Sequence, residues 1–211
     1  YLIGLVILLN VFYKLDWIDP RNKAYGLNYW NKTERPQYTR EYLAAMCTPE
    51  KVEADRQNMI GVLEAWKKKQ TDSTQKPMLV LINTSGGGHR SATFTMGVLQ
   101  ALDSITNGEI MKRTFLINGA SGGMIGAAYF RELYLRKLKG ENIKLQSKEY
   151  VSDISGDLLN PLFTSFFARD LIAPAQKFSV GPYRYVKDRG YSFEQKLSEN
   201  TRGFLDKQLR D

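Results

Sequence analysis

The segment that decides the fold reads MLVLINTSGGGHRSA over Met78–Ala92 and TFLINGASGGM over Thr114–Met124. Each half is a short apolar run, then a glycine-rich turn, then the start of a helix-forming stretch. Repeated strand, turn and helix is typical of a mostly parallel sheet with helices on both faces. The sequence therefore predicts an α/β fold.

The same pattern gives approximate boundaries. Strands are predicted at Met78–Ile82 and Thr114–Ile117, and helices at about 91–102 and 124–138. The apolar side of the first helix is expected to consist of Phe94, Val98, Ala101 and Leu102. Both glycine-rich turns follow the carboxyl ends of strands, which is where ligand sites lie in such sheets.

The second turn contains Gly119-Ala-Ser-Gly-Gly123, which fits the pattern G-x-S-x-G. A serine between a strand and a helix sits on a sharp turn with its hydroxyl exposed at the helix N-terminus. Ser121 is therefore a candidate nucleophile. The backbone N–H of Gly122 is a candidate donor to the oxyanion that such a nucleophile creates.

The first turn, Gly86-Gly-Gly-His-Arg90, suits the same chemistry. Three successive glycines, Gly86, Gly87 and Gly88, can direct their backbone N–H groups into one concavity, as an oxyanion hole requires. Arg90 is expected to steady this loop or to contact a substrate phosphate. The alternative is a tight turn followed by a surface arginine.

Two runs, Ser85–Ala92 and Asn118–Met124, resemble the patatin-like phospholipase family and, less closely, the cytosolic phospholipase A catalytic domain. Ser155–Pro161 and Lys187–Glu194 are similar to segments that follow the nucleophile helix in bacterial patatin-like proteins. The resemblance extends from about residue 78 to the C-terminus. It implies a three-layer α/β/α hydrolase with a serine-aspartate dyad and neither metal nor cofactor.

One feature departs from that family, whose catalytic aspartate stands in an Asp-Gly dipeptide. No Asp-Gly occurs in the 211 residues. We expect either that the aspartate lies beyond this chain, making 78–211 the N-terminal part of the domain, or that the dyad has been lost. In-chain aspartates are weaker candidates, because loop aspartates mostly cap turns or helices; they are Asp153, Asp157, Asp170 and Asp188. His89 is disfavoured as base because it lies within the oxyanion loop itself.

The N-terminal run YLIGLVILLNVFY over Tyr1–Tyr13 is apolar but shorter than the roughly 20 residues of a spanning helix. We expect residues 1–20 to be the end of a membrane-anchoring helix, with Tyr13, Lys14 and Trp17 at the interface. A buried core helix and a signal segment are the alternatives. The resemblance to bacterial proteins implies a bacterial inner membrane, and Lys14, Arg21 and Lys23 favour its cytoplasmic side.

Residues 21–77 form a polar helical lead-in that ends in a linker over 70–77. Its one clear helix has Thr48 as N-cap and Pro49 at the first helical position. The composition excludes several classes of site. A single cysteine, Cys47, and a single histidine, His89, exclude multi-cysteine and multi-imidazole metal sites. The net charge of +8 is spread along the chain, so nucleic-acid binding is not expected.

These observations predict a membrane-associated serine lipid acyl hydrolase of the phospholipase A type, with a membrane lipid as substrate and Ser121 as nucleophile. One alternative is a catalytically inactive patatin-like membrane or scaffold protein. The other is a nucleotide-binding module. It is disfavoured because G-K-[ST] does not follow the glycines and no acidic residue ends the second strand, which closes at Asn118.

Overall fold

A computed structural model describes residues 1–14, 38–70, 76–171, 176–181 and 183–207. The chain divides into two compact units, one of Tyr1–Glu34 with Asp157–Glu199 and one of Arg35–Gly156 with Asn200–Asp211. The fold is mixed α/β and rich in helix. The prediction of a fold that mixes helices and strands, with a parallel strand pair, is confirmed.

The elements follow one another along the chain with the strands far outnumbered by helices. In order they are α1 (Leu2–Lys14), α2 (Arg40–Met46), α3 (Pro49–Lys68), β1 (Val80–Thr84), α4 (Gly88–Ile105), α5 (Glu109–Arg113), β2 (Thr114–Gly119), α6 (Ser121–Leu138), α7 (Lys148–Ile154), α8 (Leu159–Ser165), a π-helical turn (Phe166–Leu171), β3 (Lys177–Val180), β4 (Tyr183–Val186) and α9 (Arg189–Asn200).

The two predicted strands, β1 and β2, pair in parallel. Leu81 lies opposite Leu116, and Thr84 lies opposite Gly119. Each strand runs two residues further than predicted, and each following helix starts about three residues earlier, at Gly88 and Ser121. The sequence pattern does not predict these early starts, because glycine and serine have low intrinsic helix propensity.

Helices α4 and α6 pack with their backbones in unusually close approach. A Cβ on Gly122 would overlap the carbonyl oxygen of Gly88, and one on Gly126 would overlap the carbonyl oxygen of Ala92. The absence of a Cβ at Gly122 and Gly126 is therefore what permits the approach. The core around this contact includes Met96, Leu99, Ala127, Tyr129, Phe130, Leu133 and Leu145.

The predicted apolar side of α4 is wrong. Phe94, Val98, Ala101 and Leu102 are exposed, Phe94 at 73%. The buried side consists of Ala92, Thr95, Met96, Leu99 and Asp103. The helix carries two apolar stripes, and packing against glycine-rich α6 selects the stripe that contains the smaller Ala92.

The predicted helix after Thr48 is confirmed as α3. Thr48 Oγ1 accepts a hydrogen bond from the Lys51 N–H at 3.4 Å, and Pro49 occupies the first turn. At the other end of α3, Trp66 contacts Phe115 edge-to-face, with ring centroids 6.0 Å apart. The predicted 70–77 linker lies partly outside the described residues.

The other unit contains α1, α8, the π-helical turn, the antiparallel β3–β4 hairpin and α9. The described apolar side chains of α1 are largely exposed, Leu2 at 76% and Ile3 at 77%. Within the described residues, no helix combines the length and apolar character that crossing a membrane requires. Trp17, predicted at the membrane interface, and Arg21 and Lys23, used to predict the orientation, lie outside the described residues.

Candidate active site

Both glycine-rich turns leave the β1–β2 sheet at one edge. Thr84 and Gly119 are paired as the last residues of their strands. The N–H of Ala120 donates to the carbonyl of Thr84 at 3.3 Å, so the pairing continues one residue past β2. The loop that leads to Gly88 and the turn that carries Ser121 are therefore neighbours.

Ser121 begins α6 in a left-handed backbone conformation, with φ of 51°. Positive φ is uncommon for residues other than glycine, and it is the strained geometry of a nucleophile elbow. The residue is exposed, and its hydroxyl has no hydrogen bond with any described residue. Ser121 is thus sterically accessible at the amino end of an 18-residue helix.

The glycine loop lies directly beside Ser121. A Cβ built on Gly86 would be 3.3 Å from the Cβ of Ser121. Gly87 and Gly88 have φ values of 148° and 63°, which side chains other than glycine rarely tolerate. The structure therefore brings four predicted residues together; these are Gly86, Gly88, Ser121 and Gly122.

The amino ends of two helices meet at this point. The first backbone N–H groups of a helix have no acceptor within the helix, and the helix dipole adds positive potential there. Because α4 begins at Gly88 and α6 begins at Ser121, and Gly88 contacts Gly122, the two helix starts lie side by side next to Ser121. This arrangement favours negative charge beside the Ser121 hydroxyl.

Sequence inspection gave no role to Ser91, which fixes the glycine loop. Its hydroxyl donates to the carbonyl of Ser85 at 2.7 Å, closing the loop across its base. A Cβ on Gly87 would lie 3.1 Å from the Ser91 Cβ. The signal was present as the second serine of the run SGGGHRS, but only the fold brings the two serines together.

His89 points toward α7. Its Nε2 lies 2.8 Å from the carbonyl oxygen of Ile154. Because a carbonyl oxygen only accepts, Nε2–H must be the donor. The ring is therefore engaged at the end of α7, in keeping with its rejection as base for Ser121.

Arg90 lies in the first turn of α4 with an exposed side chain. Its guanidinium has no hydrogen bond or ion pair with any residue in the described part of the chain. One predicted role, in which Arg90 steadies the glycine loop through a hydrogen bond or ion pair, is therefore not observed among the described residues. Contact with a substrate phosphate stays a prediction.

Two of the in-chain aspartates cap helices, as loop aspartates were expected to do. Asp157 accepts from the N–H groups of Leu159, at 2.8 Å, and Asn160, at 3.2 Å. These backbone hydrogen bonds lower the pKa of Asp157. Asp188 accepts from the Tyr191 N–H at 2.9 Å. Both carboxylates have a structural role at a helix start.

The other two aspartates are engaged in ion pairs. Asp170 lies 2.7 Å from the Arg189 guanidinium. Asp153 lies 2.9 Å from Arg202 and accepts from the Tyr129 hydroxyl at 3.0 Å. Burial is the main cause of a raised Tyr129 pKa, and Asp153 raises it further. All four aspartates therefore have structural partners.

Within the described ranges, no three His, Cys, Asp or Glu side chains are grouped so that they could hold a metal ion. Cys47 is a free, exposed thiol.

No protein-family model, no curated protein and no solved structure matches this chain.

Proposed function

We propose that this chain is a membrane-associated serine lipid acyl hydrolase of the phospholipase A type, patatin-like in its motifs and its three-layer fold. One observation carries the proposal. Ser121 is exposed, has φ of 51° and lies against the Gly86–Gly88 loop. A strained serine facing a glycine loop at the edge of a parallel sheet is the arrangement that acyl transfer uses.

In the proposed reaction, Ser121 Oγ attacks the carbonyl carbon of a fatty-acyl ester and loses its proton to a general base. The carbonyl oxygen becomes an oxyanion, to which backbone N–H groups of Gly86–Gly88 and Gly122 donate. The ester bond then breaks, the leaving alcohol takes the proton, and an acyl-enzyme remains. Water cleaves this intermediate to release the fatty acid and restore Ser121. Each oxyanion donor is worth about 3 kcal/mol of transition-state stabilisation.

The proposed base is an aspartate outside the 211 residues of this chain. This proposal is supported by the interactions of the candidate bases inside the chain. The four candidate aspartates are engaged as caps or ion-pair partners, and His89 donates to Ile154. Asp153 and His89 share a compact unit with Ser121, and neither is observed in a hydrogen bond with it among the described residues of that unit.

A lipid substrate is supported by exposed apolar side chains. Helix α1 exposes Leu2, Ile3 and Ile7, the last at 59%. Exposed apolar surface on this scale favours lipid or protein contact over water. Phe163 and Phe167 are exposed at 63% and 62% and are candidates for contact with acyl chains. We propose attachment to the cytoplasmic face of a bacterial inner membrane through the N-terminal segment.

A catalytically inactive patatin-like protein is the second candidate. It is favoured by the absence of any hydrogen bond to the Ser121 hydroxyl from the described residues. Without a base in contact, a serine hydroxyl is a weak nucleophile.

Labelling by a fluorophosphonate probe separates the two. We expect the full-length protein to be labelled, Ser121→Ala to lose the label, and the control Ser104→Ala, an exposed serine of α4, to keep it. Labelling that survives in Ser121→Ala refutes the nucleophile. A folded full-length protein that takes no label supports the inactive alternative.

A further inference from the structure

A cavity of about 690 Å³ lies between α9 and the segment formed by α8 and the π-helical turn, all within one compact unit. We call it the α8–α9 groove. One side is formed by a face of α8 and the π-helical turn, and the other by a face of α9. Its polar lining residues include Thr164, Ser165, Arg169, Ser192, Gln195 and Lys196.

The two helical segments run antiparallel along the groove, and the two ends of the groove differ in their charged residues. At one end, Asp157 feels the positive charge of Lys196, which also pairs with Glu199 at 3.0 Å. At the other end, Arg169 Nη1 donates to Ser192 Oγ at 2.8 Å. The two carboxylates that line the groove, Asp157 and Glu199, therefore both lie at the Lys196 end.

The Arg169 end carries positive charge without a carboxylate partner in the described residues. The Arg169 guanidinium lies 5.4 Å from the centre of the Tyr191 ring, and the Lys187 ammonium lies 5.7 Å from it. The nearby carboxylates are otherwise engaged, because Asp170 pairs with Arg189 and Asp188 caps α9. Among the described residues, only one Arg169 N–H group has an acceptor, so the others can reach a ligand.

A buried hydroxyl without a partner lies in the same groove wall. Ser165 is 3% exposed, and its Oγ has no hydrogen bond with any described residue. Such a group costs free energy unless something satisfies it. Ser165 stands where α8 passes into the π-helical turn, a feature often found at functional sites.

We propose that the Arg169 end of the α8–α9 groove binds a phosphate group. The fork of a guanidinium matches phosphate oxygens, and serine and threonine hydroxyls complete such sites. The phosphate can belong to a soluble compound or to a phospholipid headgroup. This site does not use Ser121, so it stands or falls independently of the proposed hydrolase activity.

The test measures binding with the full chain. The soluble arm titrates inorganic phosphate and glycerol 3-phosphate by calorimetry. The lipid arm compares phosphatidylcholine vesicles with and without phosphatidate by flotation. Arg169→Gln is expected to weaken phosphate-dependent binding by about ten- to a hundredfold, because it removes a charge-assisted contact. The matched control is Arg131→Gln, an exposed arginine of α6 with no partner in the described residues.

A second variant guards against misfolding of Arg169→Gln. Ala168 lines the groove with an exposed side chain, so Ala168→Phe fills the groove while leaving Arg169 in place. Loss of soluble phosphate binding in both variants supports a soluble ligand. Loss only of the phosphatidate-dependent flotation supports a headgroup. If folded variants bind phosphate and phosphatidate as the unmodified protein does, or if the unmodified protein binds neither, the proposal is overturned.

Discussion

The carbonyl oxygen of Gly88 lies where a Cβ atom on Gly122 would have to be placed. This contact joins the first turn of α4 to the first turn of α6 and sets the distance between the two glycine-rich turns. Gly122 therefore has two separable features. Its missing side chain permits the close packing, whereas the backbone N–H that is proposed to bind an oxyanion is present in any residue except proline.

Gly122→Ala is therefore expected to destabilise the fold by about 2 kcal/mol, because the backbones must move apart to admit one methyl group. Gly97→Ala is the matched control. Gly97 lies in α4, and a Cβ there meets nothing within 4 Å. The control should be neutral or stabilising, since alanine favours helix. Urea denaturation of both variants measures the difference, and equal stabilities would contradict the close approach.

Ser91→Ala is expected to loosen the glycine loop. It removes the 2.7 Å hydrogen bond to the Ser85 carbonyl and should cost about 1 kcal/mol of unfolding free energy. We also expect slower fluorophosphonate labelling of Ser121, because the loop donors lose their fixed position. Thr93→Ala is the control, since the one hydrogen bond of the Thr93 hydroxyl among the described residues goes to the His89 carbonyl within α4. An unchanged labelling rate in Ser91→Ala would separate the loop from the reaction.

His89→Ala tests whether His89 is a structural residue or a base. The hydrogen bond to Ile154 predicts a loss of about 1 kcal/mol in stability, with fluorophosphonate labelling of Ser121 largely retained. Labelling kinetics and thermal unfolding of the same preparation provide both measurements. A folded His89→Ala protein that labels as poorly as Ser121→Ala would make His89 the base.

Glu132 gives a prediction about pH. Burial raises the pKa of this 4% exposed carboxyl, but hydrogen bonds from Lys207 and Arg136, each at 2.7 Å, outweigh burial and lower it. A pKa lowered in the folded state adds stability above the ordinary glutamate pKa. That stability disappears as the pH falls through the folded-state value.

Glu132→Gln should therefore cost about 3 kcal/mol at neutral pH. This cost should shrink as the pH falls from the ordinary glutamate pKa of about 4.3 through the lower folded-state value, where Glu132 itself becomes protonated. Glu141→Gln is the control, because Glu141 also contacts Arg136 but is exposed, and an exposed pair contributes under about 1 kcal/mol. Denaturation curves across this pH range decide. A difference between Glu132→Gln and the unmodified protein that does not shrink in acid would rule out this linkage.

The local pattern predicted some elements well, for local reasons. The strands β1 and β2 follow from short apolar runs. The start of α3 follows from its N-cap, Thr48, and the proline after it. The place of Ser121 between strand and helix follows likewise from neighbouring residues. Its left-handed backbone fits the strained turn that G-x-S-x-G predicts.

Other features depend on contacts between distant residues, which a pattern does not contain. The start of α4 at Gly88 and the burial of Ala92 rather than Phe94 both result from packing against α6. The tie between Ser91 and Ser85 needs the loop to close first. The α8–α9 groove joins Arg169 to Ser192 across 23 positions, and no periodicity within either helix indicates it.

The torsion angle of 51° at Ser121 implies a standing thermodynamic penalty. An L-residue held in this region costs roughly 1–2 kcal/mol relative to glycine. Alanine and glycine at this place both abolish the hydroxyl, yet only glycine releases the penalty. The melting temperature of Ser121→Gly should thus exceed that of Ser121→Ala. The gap between these two variants, both without a hydroxyl, measures how much stability the chain gives up to hold a side chain in this backbone conformation.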